Sequence, residues 1–472
     1  MKRSKRILAL VAILVVACTA TFALTKYEEK QEEVQNSDAV ILEIPADTVQ
    51  SLSWEYTEDG LAFHKGEDGW LYDDDEAFPV SEDKIADILS HFEAFGVNFI
   101  IENVEDYSQY GLDDPECVIH LTTSSQSYDI KLGDFSKMDK QRYVDIGDGN
   151  VYLVSEDPMD YLKPELSGMI LHDDTPEFEN VVDIQFAGSE NYSIVYDKES
   201  PDSYNEKDVY FTEKGGRNLP LDTDTMTNYL NTITALNLQN YVTYNATEEE
   251  LESYGLDKPE LSITVDYTYT DEDENEISDT CVLHISQNPE ELKAAEEAKA
   301  KEKEEIPAVT KYVRIGDSQI VYELDDSAYD TLAAASYNDL RHREVIWADF
   351  DTVTQIDITL EGENHTITSA WNDNKGAERV WYYGEDEVDI YDLQSALESL
   401  TADSFTDETP NQKEEISLTV YLDNENFPQV KIQLFRYDGR SCLAVVDGES
   451  VSLVERSAVM GLVEAVQSIV LN

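Results

Sequence analysis

The chain is 472 residues long, too long for one ordinary domain, and 41% of its residues are hydrophobic, which is enough for several buried cores. It carries 101 acidic against 33 basic residues, which gives a formal net charge of −68. A body of this charge repels phosphate backbones, and this excludes nucleic acid as a partner.

The N-terminus predicts a membrane anchor. The basic hexapeptide MKRSKR at residues 1–6 precedes residues 7–25, which contain no charged side chain. As a helix this segment spans about 28 Å, close to the thickness of the hydrocarbon core of a bilayer. The positive-inside rule then places residues 1–6 in the cytoplasm. After a linker at residues 26–39, the body is expected outside the membrane.

A lipoprotein signal is the alternative interpretation of the same segment. Val15-Val16-Ala17-Cys18 resembles a lipobox, in which Cys18 is lipidated and becomes the new N-terminus. The residues after Cys18 remain apolar, and this favours a spanning helix. Both interpretations tether an extracytoplasmic body to the cell membrane.

The rest of the chain contains three copies of one unit. Each copy begins with a valine that has apolar residues at +3 and +5, and these valines are Val49, Val181 and Val353. An aromatic strand-like run follows each valine, and then an apolar stripe of helical period. The copies are named the first, second and third repeats and cover residues 40–170, 175–340 and 345–472.

Alternating apolar and polar runs behind each helical stripe predict antiparallel strands. A helix packed on an antiparallel sheet gives an α+β domain. The predicted fold is therefore α+β, with an N-terminal transmembrane helix followed by three homologous repeats, each an antiparallel sheet with a helix. The second repeat also contains an insertion rich in Ala, Glu and Lys at residues 289–307, predicted to be a solvated helical or flexible segment.

A heptad occurs twice, as YGLDDPE at residues 110–116 and as YGLDKPE at residues 254–260. Glycine permits a positive φ, aspartate can bond to nearby backbone amides, and proline suits the entrance of a strand. The heptads are therefore predicted to be structural turns rather than duplicated active sites. The residues assigned to the turns are Tyr110, Gly111, Leu112, Asp113 and Pro115, and Tyr254, Gly255, Leu256, Asp257 and Pro259.

The sequence predicts no catalytic residue, no metal site and no cofactor. It lacks a GxSxG elbow, an HExxH helix, a P-loop and a Rossmann glycine pattern. The seven histidines are scattered, and the four cysteines lack metal-site spacing, so the last three are expected to be buried free thiols. The acidic run at residues 271–276 imitates the start of an EF-hand loop but lacks its glycine.

Four features together resemble a known bacterial family, the domain-of-unknown-function 4340 family. They are the GWLY strand at residues 69–72, the helix led by Pro-Val-Ser at residues 79–81, the YGLDxPE heptad, and the YVxIGD and VYxV strand pair. The resemblance is strong in the first two repeats and weak in the third. It implies membrane-anchored proteins linked with ABC-2-type transporters of the gliding-motility-auxiliary kind. No catalytic residues are established for that family.

The expected function is that of a membrane-anchored extracytoplasmic protein that is not an enzyme. It would act as an accessory or interaction subunit of an ABC-type transport or cell-envelope system, with a membrane protein such as an ABC transporter permease as its partner. The alternative is a cell-envelope hydrolase or a wall-polymer-binding lipoprotein, which requires a cleft with two close carboxylates or a Ser/His pair.

Overall fold

A computed structural model describes residue 19 and residues 33–36, 39–56, 59–162, 165–303, 305–372 and 378–471. The predicted anchor at residues 7–25, apart from Thr19, lies outside the described residues, as does Cys18. Within the described ranges, no helix is both long enough and apolar enough to cross a membrane. The described residues fall into two compact units, one within Met1–His172 and one within Asp173–Asn472.

The first unit contains a ten-stranded antiparallel sheet in the order β1-β6-β10-β9-β8-β7-β3-β4-β5, with β2 also paired to β6. Its strands are β1 Glu33–Asn36, β2 Val40–Leu42, β3 Val49–Tyr56, β4 Gly60–Lys65, β5 Trp70–Tyr72, β6 Phe95–Glu102, β7 Cys117–Thr123, β8 Ser127–Ser136, β9 Gln141–Asp145 and β10 Val151–Val154.

The second unit contains two nine-stranded sheets. The sheet of the second repeat has the order β14-β13-β12-β11-β16-β17-β18-β19-β15. Its strands are β11 Asn180–Ala187, β12 Asn191–Tyr196, β13 Tyr210–Lys214, β14 Arg217–Pro220, β15 Tyr241–Thr243, β16 Leu261–Thr270, β17 Glu276–Gln287, β18 Lys311–Ile315 and β19 Val321–Leu324.

The sheet of the third repeat has the order β23-β22-β21-β20-β25-β26-β27-β28-β24. Its strands are β20 Val353–Leu360, β21 Glu363–Asn372, β22 Glu378–Tyr383, β23 Asp386–Val388, β24 Ala402–Phe405, β25 Glu414–Leu422, β26 Gln429–Arg436, β27 Ser441–Val446 and β28 Glu449–Glu455.

The three sheets share one topology in their central strands, so the prediction of three repeated α+β domains is confirmed. The first sheet differs at its edges, where β1 and β2 pair with β6 and, in the part of the chain that the structure describes, no strand pairs beyond β5. The first long strand of each repeat (β3, β11 or β20) pairs at the centre with the strand that starts the second half (β7, β16 or β25). The strand after the helix (β6, β15 or β24) crosses to pair with the last strand (β10, β19 or β28). A β-bulge follows the aligned valine in each repeat, at Val49, Val181 and Val353. Because the bulge recurs at the equivalent position in every repeat, it is a structural feature of the repeated unit.

The helices bury the faces that the apolar stripes predict. In the first repeat the buried face is Ile85, Ile88, Leu89 and Phe92, and in the second it is Met226, Tyr229, Leu230 and Ile233. The helices are α1 Glu82–Glu93, α2 Thr223–Thr234, α3 Glu248–Ser253, α4 Pro289–Ala300, α5 Asp326–Ala333, α6 Tyr337–Leu340, α7 Tyr391–Glu398 and α8 Arg456–Val470. In the third repeat α7 packs against α8 over the sheet.

The charged insertion of the second repeat forms α4 rather than a wholly solvated segment. Asn288 caps its N-terminus by accepting from the backbone N–H groups of Glu290 and Glu291. Two alanines on one face, Ala295 and Ala298, are 7% and 1% exposed. Small side chains allow close packing on one side while the Glu and Lys residues stay in water.

Candidate functional site

Both heptads form the turn between a short helical segment and the central strand of their sheet. In the first repeat the 3₁₀ turn Tyr107–Tyr110 ends at Gly111, which has a φ of 68°, and β7 begins at Cys117. In the second repeat α3 is followed by Gly255, which has a φ of 75°, and β16 begins at Leu261. The glycines therefore stand where the backbone takes the left-handed conformation that ends a helical turn.

The aromatic positions of the heptads make the same contact in both repeats. The Tyr110 ring lies 4.8 Å from the Tyr143 ring, and the Tyr254 ring lies 4.7 Å from the Tyr312 ring. The interplanar angle is 53° in both pairs. Each pair packs the turn against the strand that carries the YVxIGD motif, β9 in the first repeat and β18 in the second.

The remaining heptad positions also match in burial. Leu112 and Leu256 are 2% and 4% exposed and belong to small apolar clusters. The aspartates Asp113 and Asp257 are exposed, and the prolines Pro115 and Pro259 are half-buried at the strand entrance. The heptad side chains thus pack the turn against its own sheet.

The glutamate that ends the heptad has an equivalent in all three repeats, although the third repeat lacks the rest of the heptad. These glutamates are Glu116, Glu260 and Glu415. In each repeat the residue five positions after the aligned valine pairs with a residue of the central strand, and the glutamate lies three residues before that partner. Each carboxylate accepts a hydrogen bond from a side chain of its own sheet or the helix behind it. The donors are Arg142 Nη1 at 2.8 Å, the Tyr329 hydroxyl at 2.7 Å and Arg436 Nε at 2.7 Å, respectively.

Four of the scattered histidines pair with side chains on the neighbouring strand or, for His64, directly after it. They are His64 with Asp73 (2.7 Å), His120 with Asp129 (2.7 Å), His284 with Ser262 (2.9 Å) and His365 with Tyr383 (3.0 Å). Such cross-strand pairs stabilise a sheet. The acidic run that imitates an EF-hand is a hairpin turn in which Asp271 Oδ1 accepts from the Asn275 backbone N–H at 2.7 Å.

Three cysteines are buried and free: Cys117, Cys281 and Cys442. Burial raises the pKa of the Cys117 thiol to about 12 and the pKa of the Cys281 and Cys442 thiols to about 11. The thiolate is the reactive form of cysteine, so these groups behave as core side chains.

The richest cluster of titratable groups lies in the second unit, where the linker at residues 341–344 joins the second and third repeats. The backbone N–H of Asp222 donates to Leu340 O at 3.0 Å, which fixes the start of the linker to the second repeat. The N–H of Ala402 donates to Arg343 O at 2.7 Å, which fixes its end to the third. The linker is thus hydrogen-bonded on both sides.

The carboxylate of Asp208, whose side chain is 2% exposed, organises this junction. Its Oδ1 accepts from Nε2 of His342, on the linker, at 2.9 Å. Its Oδ2 accepts from Nε1 of Trp347, in the third repeat, at 3.0 Å and from the Ser203 hydroxyl. One buried anion therefore ties together three segments of the chain.

Aromatic packing surrounds the same carboxylate. The rings of His342 and Trp347 are stacked, with centroids 4.4 Å apart and planes at 10°. Tyr204 lies 4.7 Å from Trp347 on a centroid basis, and Phe427 of the third repeat lies 6.0 Å from Tyr204. Stacking against an indole holds the imidazole plane in one orientation.

The second ring nitrogen of His342 faces two more carboxylates. Nδ1 lies 3.8 Å from Oε2 of Glu344 and 4.0 Å from Oδ2 of Asp222. Burial alone would lower the pKa of His342, but the interactions with Asp208, Glu344 and Asp222 outweigh it and raise this pKa to about 9. The site therefore favours a positive charge at Nδ1.

Among the described residues, Asp222, His342 and Glu344 form a group whose ligand atoms all lie within 4.8 Å of one another. The sequence did not predict this group, because Asp222 and His342 are 120 residues apart and no local spacing connects them. Only the pairing of the linker with the start of α2 brings them together.

Two cavities border the junction. One of about 630 Å³ is lined by Asn205, Lys207, Phe350 and Arg379, among others. Another of about 460 Å³ is lined by residues that include Tyr204, Trp347 and Phe427.

A family model described as "Domain of unknown function (DUF4340)" matches residues 70–259 and 214–419. The chain belongs to this family. The two matches start 144 residues apart, and the two heptads, at Tyr110 and Tyr254, are also 144 residues apart. The DUF4340 matches therefore follow the repeat of the chain. No curated protein and no solved structure matches it.

Gly255→Ala in this DUF4340 chain is expected to loosen the turn between α3 and β16. A Cβ there would lie 2.6 Å from Ser286 Oγ and 3.0 Å from Gln287 O, in addition to the cost of the left-handed backbone. We expect a loss of about 2–4 kcal/mol, measured as faster amide hydrogen exchange in β16 and β17.

Gly215→Ala is the matched control, because Gly215 has a φ of 64° but nothing within 4 Å of an added Cβ. Its expected cost is the backbone term alone, about 1–2 kcal/mol. Equal effects of the two substitutions would show that close packing of the DUF4340 heptad against β17 is not what requires its glycine.

Proposed function

We propose that the chain is a membrane-anchored extracytoplasmic protein without enzymatic activity, an accessory or interaction subunit of an ABC-type transport or cell-envelope system. The observation that carries the proposal is that the potentially reactive side chains of the three repeats take part in the packing and pairing of the sheets. The strand histidines pair with neighbouring strands, the buried thiols have raised pKa values, and the heptad glutamates fasten turns. Side chains with structural roles of this kind are consistent with a protein that presents surfaces to partners rather than an active site.

The charge of the chain supports a partner with basic faces. With 101 acidic and 33 basic residues, the body would be steered towards cationic surfaces and away from anionic ones. A permease with basic extracytoplasmic loops has this complementarity, and an anchor at residues 7–25 would hold the body beside it.

Photo-crosslinking in cells tests the partner. Three exposed positions, one in each repeat, can carry a photoreactive amino acid: Met138, Val195 and Tyr391, which are 89%, 49% and 73% exposed. We expect at least one position to crosslink to an ABC transporter permease or another integral membrane protein. The control chain lacks residues 7–25 but is exported by a cleavable signal, and we expect it to lose most of these adducts.

Recovery of wall polymers from all three positions, with no membrane protein, would contradict the proposal. That result would favour the alternative of a cell-envelope hydrolase or wall-polymer-binding lipoprotein. Incubation of the purified chain with wall polymer would then show whether fragments are released.

Cys18→Ser tests the kind of anchor. If residues 7–25 span the membrane, the substitution is expected to leave the chain in the membrane fraction after alkaline extraction, because the hydrophobic span is unchanged. A lipoprotein would instead accumulate as an unprocessed precursor without the mass of the lipid. Whole-chain mass spectrometry of both variants distinguishes these outcomes.

A further inference from the structure

The side chains of Asp222, His342 and Glu344 have the donor set and spacing of a metal centre. Nδ1 of His342 is 3.8 Å and 4.0 Å from the two carboxylate oxygens, too long for hydrogen bonds, which join heavy atoms about 2.7–3.2 Å apart. Ligand atoms around a tetrahedral ion lie about 3.3–3.5 Å apart when the metal–ligand bonds are about 2.0–2.1 Å long. The two distances from Nδ1 would therefore shorten by roughly half an ångström on binding. The ligand atoms of Asp222 and Glu344, which lie within 4.8 Å of each other, would also approach.

A metal ion would take the place of the proton that the neighbouring carboxylates favour at Nδ1 of His342, while the other ring hydrogen stays on Nε2. A carboxylate has no proton to give, so the hydrogen at the 2.9 Å contact with Asp208 Oδ1 belongs to Nε2. A metal-binding histidine usually donates its other N–H to a carboxylate in this way, which orients the ring and raises its basicity. Stacking on Trp347 fixes the plane of the same ring.

The two carboxylates are also positioned for an ion. Asp222 Oδ1 caps α2 by accepting from the N–H groups of Asp224 and Thr225 at 2.9 Å and 3.1 Å, and its Oδ2 is turned towards the imidazole. Glu344 Oε2 is a buried atom with no hydrogen-bond partner among the described residues. A buried carboxylate oxygen without a donor is costly unless a cation lies against it.

We propose that Asp222, His342 and Glu344 bind a divalent transition-metal ion, with Asp208 as the positioning residue behind the imidazole. One nitrogen and two carboxylate oxygens suit Zn²⁺ or Mn²⁺, whereas Ca²⁺ prefers oxygen ligands throughout. The three side chains are 24%, 11% and 38% exposed, so solvent supplies any remaining ligand.

The ion would reinforce the joint between two repeats. Asp222 belongs to the second repeat, and Glu344 forms an isolated β-bridge with Thr401 of the third. A metal ion coordinated by both side chains would join the start of α2 to the linker and, through the linker, to the third repeat. Its role is to hold the two sheets in one arrangement, independently of the function proposed above.

The test uses the full chain, purified in detergent and stripped of metal with a chelator. Calorimetric titration with ZnCl₂ is expected to show one site per chain, with weaker binding of MnCl₂ and no comparable binding of CaCl₂. Zn²⁺ is expected to slow amide hydrogen exchange in residues 221–226 and 340–345 at least tenfold.

Asp222→Asn and Glu344→Gln keep the size of each side chain, and asparagine remains a good helix cap. Each is expected to weaken Zn²⁺ binding at least tenfold while the exchange pattern of the metal-free sheets is unchanged. His365→Ala is the matched control, because His365 bonds to Tyr383 on its own sheet, and it should bind Zn²⁺ as the unaltered chain does.

Two results would overturn the proposal. One is the absence of a Zn²⁺ site in the unaltered chain, which would leave a protonated imidazole as the only cation among these carboxylates. The other is binding that is equally strong in Asp222→Asn and Glu344→Gln, which would place the ion elsewhere on the acidic surface.

Discussion

The carboxylate of Asp208 sets the constraint on which the second unit depends. A buried anion costs several kcal/mol unless hydrogen bonds and opposite charge offset its lost hydration. Asp208 meets this requirement only when Ser203, His342 and Trp347 approach together, and these lie in the second repeat, the linker and the third repeat. The hydrogen bonds to this one carboxylate thus determine how the sheets of the second and third repeats are joined.

The three repeats show which features of the unit are common to all copies. Each keeps the order of the central strands, the bulge after the first valine and the glutamate at the entrance of the central strand. The third repeat reaches that strand through residues 406–413, all of them described and none helical, instead of the YGLD turn. Glu415 still bonds to Arg436 there. The contact at the strand entrance is therefore more general than the turn that leads to it.

Much of the fold could be predicted from the sequence because it follows from local periodicity. Helical stripes such as Ile85 to Phe92 and alternating strands such as Cys117–Thr123 carry their burial pattern in the order of their residues. No local sequence pattern indicates that the strand after the helix crosses over to pair with the last strand of its sheet. Glu415 was hidden for the same reason, since its equivalence to Glu116 depends on strand register and not on neighbouring letters.

The junction between the second and third repeats could not be predicted from the sequence, because Asp208, Asp222 and His342 meet only through the tertiary fold. Asp208→Asn tests the central claim, that this buried carboxylate holds the second and third repeats together, because it removes the charge at constant size. Amide hydrogen exchange in residues 203–208 and 340–348 is the measurement. We expect at least tenfold faster exchange there, with β20 and β25 still protected. Unchanged protection in both segments would contradict the claim.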